Sequence, residues 1–346
     1  MITLKHISAH QSSITSPWPD GEWSSELALA ARDAHSLLRA VAVDPEQLSE
    51  PLDPSSSFPV LAPPSFINRM QAGDPNDPLL KQVLPILREQ QPETGFVNDP
   101  LAETDPNSGF VKAPGLLQKY HGRVLLITTP ACAINCRYCF RREFPYQQHR
   151  PRNHQQALDA IAADASVTEV ILSGGDPLLL SDEHLLRLLN AINEIPHVQR
   201  IRIHSRIPIV LPQRITQGLL DALNQRCQMI MVVHSNHPQE LNSQTQRAMA
   251  CLQQAQLMLL NQSVLLRGIN DSATVLSALS TKLFTQGVLP YYLHLPDHVA
   301  GTQHFFVSDD EGRAIFAKLQ KILPGYLLPR LVREHSGAES KTLMNE

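Results

Sequence analysis

The chain has 346 residues, 42% of them hydrophobic, and a formal net charge of −4. This length suits one large domain with an appendage, or two domains, and the apolar content supports a sizeable core. Because no uninterrupted apolar stretch reaches about 18 residues, no transmembrane helix is predicted. The slightly acidic charge balance argues against a nucleic-acid substrate. The first residues lack a secretory apolar region, which favours a cytoplasmic protein.

Residues 1–115 differ in amino-acid composition from the remainder of the chain. They are rich in Pro, Asp, Ser and Gln, and helix-like patches occur at 21–41 and 77–91. This composition predicts a helical, loop-rich N-terminal region, in which no catalytic pattern is evident. We expect residues 116–325 to form the main domain and residues 326–346 a separate C-terminal segment.

Short apolar runs and amphipathic stretches alternate from residue 123 onward. The runs, expected to be strands, are 124–128, 169–173, 200–204, 229–234, 257–260 with 264–266, and 288–293. The stretches, expected to be helices, are 154–165, 182–195, 216–224, 238–254, 272–286 and 309–322. Such alternation predicts an α/β fold with parallel strands and right-handed crossovers, here a partial (βα)6 TIM-like barrel. Active residues of such a barrel lie at the C-terminal ends of its strands.

Three cysteines follow the first predicted strand. Cys132, Cys136 and Cys139 form a C-x3-C-x2-C pattern. Three thiolates on one loop can hold three irons of a [4Fe–4S] cluster and leave the fourth iron open for chemistry. Two alternatives remain open at this point: a Cys3His zinc site with His121 or His149, and thiols without a ligand. Neither Cys227 nor Cys251 has a second cysteine beside it.

Other motifs fall at the ends of later predicted strands. The run Ser173-Gly174-Gly175-Asp176 has glycines that allow close backbone approach to a ligand, and Asp176 suits an ammonium group. Taken alone, this run is equally compatible with an ordinary βα turn. Arg137, Arg141 and Arg142 lie on the cysteine loop itself. Their position on this loop favours a role in anion binding over the alternative, that they are solvent-exposed surface residues without a function.

The cysteine spacing resembles the signature of the radical S-adenosylmethionine (SAM) superfamily, and the glycine run resembles the superfamily motif that binds the SAM amine. From about residue 74 almost to the C-terminus, the chain resembles the lysine 2,3-aminomutases. The matching segments are Cys-Ala-Ile-Asn-Cys-Arg-Tyr-Cys-Phe-Arg-Arg-Glu-Phe at 132–144, Ser-Gly-Gly-Asp-Pro-Leu at 173–178, and the runs 202–216, 236–240 and 261–271. The short chain resembles the branch that serves elongation factor P.

The resemblance implies three cofactors: the [4Fe–4S] cluster, SAM and pyridoxal 5′-phosphate (PLP). PLP would form a Schiff base with Lys341, although Ala338, Glu339 and Ser340 stand where relatives often carry a glycine-rich run. His234 and Gln262 match positions beside SAM and PLP. The implied reaction begins when SAM is cleaved to a 5′-deoxyadenosyl radical. The radical removes a hydrogen from Cβ of PLP-bound lysine, and the nitrogen then migrates from Cα to Cβ.

The family also implies the substrate contacts. Arg141 matches the arginine that binds the substrate carboxylate, and a guanidinium suits that group bidentately. Asp297 is the nearest match to one of two acids that hold the ε-ammonium, although an ungapped alignment places His294 there. Glu334 matches the second acid, which is aspartate in lysine aminomutases. Arg123 has a family counterpart, and Lys119 stands where a second arginine is usual.

The resemblance finally implies partners and sets the rival hypotheses. L-lysine is the expected substrate, elongation factor P and its lysyl ligase are the expected functional link, and flavodoxin or ferredoxin is the expected electron donor. No nucleic acid or membrane partner is expected, and homo-oligomerisation is left open. The rivals are a related aminomutase acting on another amino acid or on protein-bound lysine, and a non-catalytic zinc-stabilised binding module.

Overall fold

The computed structural model describes residues 15–146 and 154–344, and one ten-stranded sheet forms the centre of that part. Its strands are β1 (Val111–Ala113), β2 (Leu116–Tyr120), β3 (Arg123–Thr129), β4 (Glu169–Gly174), β5 (Arg200–Ser205), β6 (Gln228–His234), β7 (Met258–Val264), β8 (Leu289–His294), β9 (Arg330–Arg333) and β10 (Thr342–Leu343). Strands follow one another in the sheet as they do in the chain. β3 to β9 are parallel, whereas β1, β2 and β10 pair antiparallel at the two edges.

Helices cover the sheet, and three short ones lie in the described part of the N-terminal region. In the described residues they are α1 (Glu22–Ala28), α2 (Ala34–Ala40), α3 (Pro64–Ile67), α4 (Gln155–Ala163), α5 (Asp182–Asn193), α6 (Ile207–Val210), α7 (Gln217–Ala222), α8 (Ser243–Gln254), α9 (Ala273–Thr285) and α10 (Asp309–Gln320). A helix follows each strand from β3 to β8, which confirms the predicted α/β fold with a partial barrel and a helical N-terminal region. None of these helices has the length and apolarity that a membrane span requires.

Strand periodicity decides which side chains face the interior of the barrel. In β5, Ile201 and Ile203 are fully buried against the helices. Arg202 and His204 alternate with them and line a central cavity, because successive side chains of a strand point to opposite faces. In β5 the apolar side chains therefore face the helices and the polar side chains face the cavity.

Two expectations are corrected by the structure. Residues 77–91 form turns and a short 3-10 helix, Leu87–Gln90, rather than a long helix. Pro85 cannot continue a helical ladder, and the Asp77 carboxylate accepts hydrogen bonds from the N–H groups of Leu79 and Leu80. A seventh parallel strand, β9, follows the six βα units and was not predicted, because four residues carry too little periodicity.

Candidate active site

The C-terminal ends of the parallel strands surround a cavity of about 510 Å³, a volume typical of small-molecule sites. Every residue that the sequence singled out for a cofactor or substrate lines this cavity. They are Cys132, Cys136, Cys139, Arg141, Ser173, Gly174, Gly175, Asp176, His234, Gln262, Asp297, Glu334 and Lys341. The fold therefore brings into one place side chains that lie up to 209 residues apart in the chain, from Cys132 to Lys341.

The cysteine loop leaves the end of β3, and its three thiols are partly buried. Burial, with the charges of the neighbouring thiols, raises the pKa of Cys132, and it raises the pKa of Cys139 to about 11. Thiolates are the form that binds metal, so a cation must displace these protons when it binds. Cys227 and Cys251 are buried in the main hydrophobic core and are not part of the cavity lining.

Arg206, at the end of β5, supplies positive charge to the cysteine loop. Its Nη1 donates to the Cys136 sulfur at 2.7 Å. Its Nη2 donates to Gln82 at 2.7 Å and to Glu240 at 3.1 Å, and both of these partners are fully buried. Because those two residues hold the guanidinium, its place beside the sulfur does not depend on the cysteine alone. A neighbouring cation favours the thiolate form.

The position of His121 argues against its being the fourth ligand of a zinc site. His121 precedes β3, whereas the cysteines follow it. Seven strand residues separate the two positions, a span of roughly 20 Å. The other histidine, His149, lies outside the described residues. Within 15–146 and 154–344, no three His, Cys, Asp or Glu side chains are grouped so that they could hold a single metal ion.

The arginines of the loop pair with carboxylates from the N-terminal region. Arg137 is fully buried and donates to Glu89 from both Nε, at 2.9 Å, and Nη2. Arg142 donates to the same carboxylate at 3.0 Å. These two arginines were expected to bind an anion, and the anion that they bind is the Glu89 carboxylate of the protein itself. Glu89 was not predicted from the sequence, because it lies about 50 positions from these arginines and no local pattern joins them.

The glycine turn lines the cavity and also packs against the start of the cysteine loop. A Cβ on Gly175 would lie 2.2 Å from the Ala131 oxygen, so no larger residue fits there. The N–H groups of Gly175 and Asp176 donate to the carbonyls of Thr129 and Ala131. These two N–H groups are therefore already paired within the protein. The turn positions the loop that carries the thiols.

The Asp176 carboxylate is also occupied within the protein. It accepts from Ser205 Oγ at 2.7 Å and from the N–H groups of Arg206 and Ile207 at 2.8 and 3.2 Å. Burial nevertheless raises the pKa of this carboxyl to about 6. Asp176 thereby ties β4 to the turn that carries Arg206. Its expected contact with an ammonium group remains a prediction.

His234 and Gln262 sit next to each other on paired strands β6 and β7. His234 Nε2 and the Tyr138 hydroxyl are 2.9 Å apart, and the two rings are stacked. Burial, followed by the charge of Arg206, lowers the pKa of His234 well below its usual value. A neutral imidazole thus links the cysteine loop to the barrel wall.

Lys341 precedes β10 and belongs to a chain of alternating charges. Its Nζ donates to Glu334, which follows β9, and Glu334 also pairs with Lys119 of β2 at 3.3 Å. Lys119 in turn pairs with Glu103 at 3.0 Å, and Glu103 pairs with Arg141. We call Arg141, Glu103, Lys119, Glu334 and Lys341 the lysine network. Burial opposes ionisation of Glu334, but Lys341 and then Lys119 hold its pKa far below the usual range.

Asp297 lies close to this network. Burial, and then the charge of Glu334, raise the pKa of Asp297 to about 7. Near neutral pH Asp297 is therefore only partly ionised, whereas Glu334 is ionised and paired with Lys341 and Lys119. His294, the alternative match, lines the same cavity, and burial lowers its pKa to about 3.

Arg141 presents only part of its guanidinium to the cavity. Nε and Nη2 donate to the two oxygens of Glu103 at 2.7 and 2.9 Å, and Nη1 donates to Ser173 Oγ at 3.1 Å. Glu103 was missed by sequence reasoning, because it lies in the N-terminal region and 38 positions from its partner. The edge that a substrate carboxylate would meet is therefore the Nη1 side.

Two buried donors or acceptors in the cavity wall are left for ligands. Within the described residues, His204 Nε2 and Arg206 Nε have no hydrogen-bond partner. Such atoms are costly unless a bound group satisfies them. Arg123, whose guanidinium lies over the Tyr120 ring at 4.6 Å, also lines the cavity and suits a phosphate. The free thiols, the lysine and these polar atoms together fit an iron–sulfur cluster, SAM and PLP.

The partial barrel and its three-cysteine loop define a radical SAM enzyme, and residues 126–273 match the model of the radical SAM superfamily. Curated relatives narrow this class. An L-lysine 2,3-aminomutase from Escherichia coli is 46% identical over 93% of this chain and 94% of the relative. The L-lysine 2,3-aminomutase from Haemophilus influenzae is 43% identical over 94% of this chain and 96% of the relative. The one from Clostridium subterminale is 39% identical over 81% of this chain and 67% of the relative. The chain belongs to the L-lysine 2,3-aminomutase family.

Proposed function

We propose that this chain is an isomerase that converts (S)-α-lysine to (R)-β-lysine. One observation carries the proposal: three thiols, a primary amine and charges of both signs meet in a single cavity of about 510 Å³. The thiols suit a cluster with one open iron, the amine suits PLP, and the charges suit the two ends of a lysine molecule.

The protein's own groups would hold and orient these components. When bound, the cluster and SAM supply a 5′-deoxyadenosyl radical, and PLP supplies an aldehyde that takes up amines. Cys132, Cys136 and Cys139 would hold the cluster, with Arg206 donating to the Cys136 sulfur. Glu334 orients the Nζ of Lys341. Because the pKa of Glu334 is held so low, this carboxylate orients Nζ but is a poor acceptor for its proton.

Substrate choice would depend on the positively and negatively charged side chains that line the cavity. Arg141 offers its Nη1 side to a carboxylate, and Asp297 with Glu334 offers negative charge to an ε-ammonium group. A glutamate-like side chain would meet the two acids and be repelled. Burial of these groups strengthens each interaction and excludes water from a reactive radical.

A direct test is to incubate the reduced, reconstituted protein with SAM, PLP and L-lysine, and to resolve the products by chiral chromatography. We expect (R)-β-lysine. A colourless protein with one zinc per chain and no β-lysine would instead support the binding-module hypothesis. Ornithine and arginine, assayed in parallel, test the related aminomutase hypothesis.

The wider role is also a proposal. We infer that the β-lysine is made in the cytoplasm, where a ligase attaches it to elongation factor P and a flavodoxin or ferredoxin supplies electrons. The resemblance to the short branch of the family supports this role. Offering the enzyme free lysine and unmodified elongation factor P in separate reactions distinguishes a free amino acid from a protein-bound lysine as substrate. Conversion of the free amino acid alone is expected.

A further inference from the structure

The N-terminal region sends one segment, residues 96–104, to the cavity. We call it the strap. At its start, Val97 donates to the His298 carbonyl at 2.9 Å, and Ala300 donates to the Val97 carbonyl at 3.0 Å. At its end, Leu101 and Glu103 line the cavity. The strap therefore connects the loop that carries Asp297 with the guanidinium of Arg141.

The strap holds Glu103 in a fixed place. The Asp99 carboxylate accepts from the N–H groups of Glu103 and Thr104 at 3.0 and 2.8 Å, and from the Thr104 hydroxyl at 2.7 Å. Leu101 is buried. A turn closed by an aspartate in this way fixes the backbone at its end. Glu103 thus reaches the cavity from a turn that is closed by hydrogen bonds to Asp99.

Glu103 satisfies two cations at once. It accepts both Nε and Nη2 of Arg141 and pairs with Lys119, and its side chain is only 5% exposed. Arg141 and then Lys119 lower the pKa of this carboxyl despite its burial, so it is ionised. A bidentate pair fixes the plane of a guanidinium. With one edge held in this way, only one orientation of Arg141 presents Nη1 to the cavity.

We propose that Glu103 is a positioning residue that sets the orientation of Arg141, and through it the place of the substrate's carbon chain. This inference rests on the proposed function, in which Arg141 binds the lysine carboxylate. The same carboxylate keeps Lys119 between two anions, Glu103 and Glu334. The N-terminal region thereby contributes to catalysis although no group of it reacts.

Glu103→Gln tests the proposal. Glutamine keeps the shape but removes the charge and one acceptor, so the guanidinium loses its fixed plane. We expect kcat for L-lysine to fall about 10- to 100-fold, because small misplacements of a reacting carbon are costly. We expect the Kd of L-lysine not to rise, since Arg141 without its internal partner attracts a carboxylate at least as strongly. That Kd is measured from the PLP absorbance without SAM.

A second readout separates positioning from general damage. Misplaced substrate should raise the amount of 5′-deoxyadenosine formed per β-lysine, whereas iron and PLP content should match the unaltered chain. Glu103→Asp, which keeps the charge but is one methylene shorter, should show the same changes to a smaller degree. Glu103→Asp also serves as the test variant if Glu103→Gln does not fold. Glu143→Gln, a change on the cysteine loop at a more exposed carboxylate, should leave every value unchanged.

Three results would overturn the proposal: a kcat within twofold of the unaltered chain, a rise in Kd equal to the fall in kcat, or a loss of iron or PLP equal to the loss of activity. Arg141→Met keeps this question apart from the proposed function. If Arg141 binds the carboxylate, that variant should lose its preference for L-lysine over L-lysinamide. An unchanged preference would refute the assigned role of Arg141, whatever Glu103→Gln shows.

Discussion

The cysteine loop and the lysine network line the same cavity but are assembled differently. The thiols lie within eight consecutive residues, and a turn one βα unit later, with Gly175 in contact with Ala131, positions their loop. The lysine network joins five charges from the strap, from β2, from the cysteine loop and from the two ends of the β9–β10 connection. Local sequence thus encodes the first arrangement, and tertiary folding alone creates the second.

Loss of one thiol should have the largest effect. Cys136→Ala removes one of three cluster ligands and the acceptor of the Arg206 hydrogen bond, so SAM cleavage should fall at least about 1,000-fold, consistent with removal of a group on which all chemistry depends. Iron analysis and electron paramagnetic resonance after anaerobic reconstitution check this result. PLP absorbance should persist, because the Lys341 amine is held by Glu334 and not by a cysteine. Cys251→Ala, in the hydrophobic core, should retain the cluster.

Loss of the Lys341 amine should have the reverse pattern. Lys341→Ala should abolish the absorbance of the PLP Schiff base and β-lysine formation, because the other amine of the network, that of Lys119, is held between Glu103 and Glu334. The cluster signal should remain. Lys321→Ala, at an exposed lysine, serves as the control. A Lys341→Ala variant that still makes β-lysine at the full rate would contradict the assignment.

The sequence predicted the first region well and the second only in part. Spacing singled out the three cysteines as a cluster site while a zinc site and free thiols stayed open, and the alternation of strands and helices predicted that they lie at the C-terminal ends of the barrel strands. Lys341 and Glu334 were named only through family resemblance, because a lysine near a chain end and a glutamate beside Arg333 look like solvated residues. Glu103, Glu89 and Gln82 were not named, since their partners are 38, 48 and 124 positions away.

The affinity for L-lysine should depend on pH, which distinguishes the charged side of the cavity from the cysteine loop. Asp297, whose pKa is raised to about 7 by burial and Glu334, is neutral below that pH and anionic above it. Affinity for the lysine ε-ammonium should therefore rise as pH increases from 6 to 8, by up to about tenfold for one added charge in a partly buried site. Binding titrations across this range measure it. Asp297→Asn should flatten the profile, and an undiminished profile in that variant would exclude Asp297 as its source.

The smallest expected effect is a change in the redox potential of the cluster. Arg206→Gln removes a cationic donor to the Cys136 sulfur, and hydrogen bonds to the ligating sulfurs raise the potential of such clusters. The midpoint potential should become more negative by on the order of 50 mV, since a charged hydrogen bond contributes about 1.5 kcal/mol and 59 mV is a tenfold change for one electron. Redox titration checks this value. The absorbance of bound PLP should not shift.

The open sheet has one further consequence. Its two margins, with β1 and β2 on one side and β9 and β10 on the other, approach each other through Lys119 and Glu334, at 3.3 Å. In the described residues no backbone ladder joins β1 to β10. Parting this seam disrupts side-chain ion pairs and leaves every strand pairing intact. The Lys119 and Glu334 side chains are only 13% and 16% exposed. Because dissolved salt screens such largely buried pairs weakly, the gap beside Lys341 should keep its width as ionic strength rises.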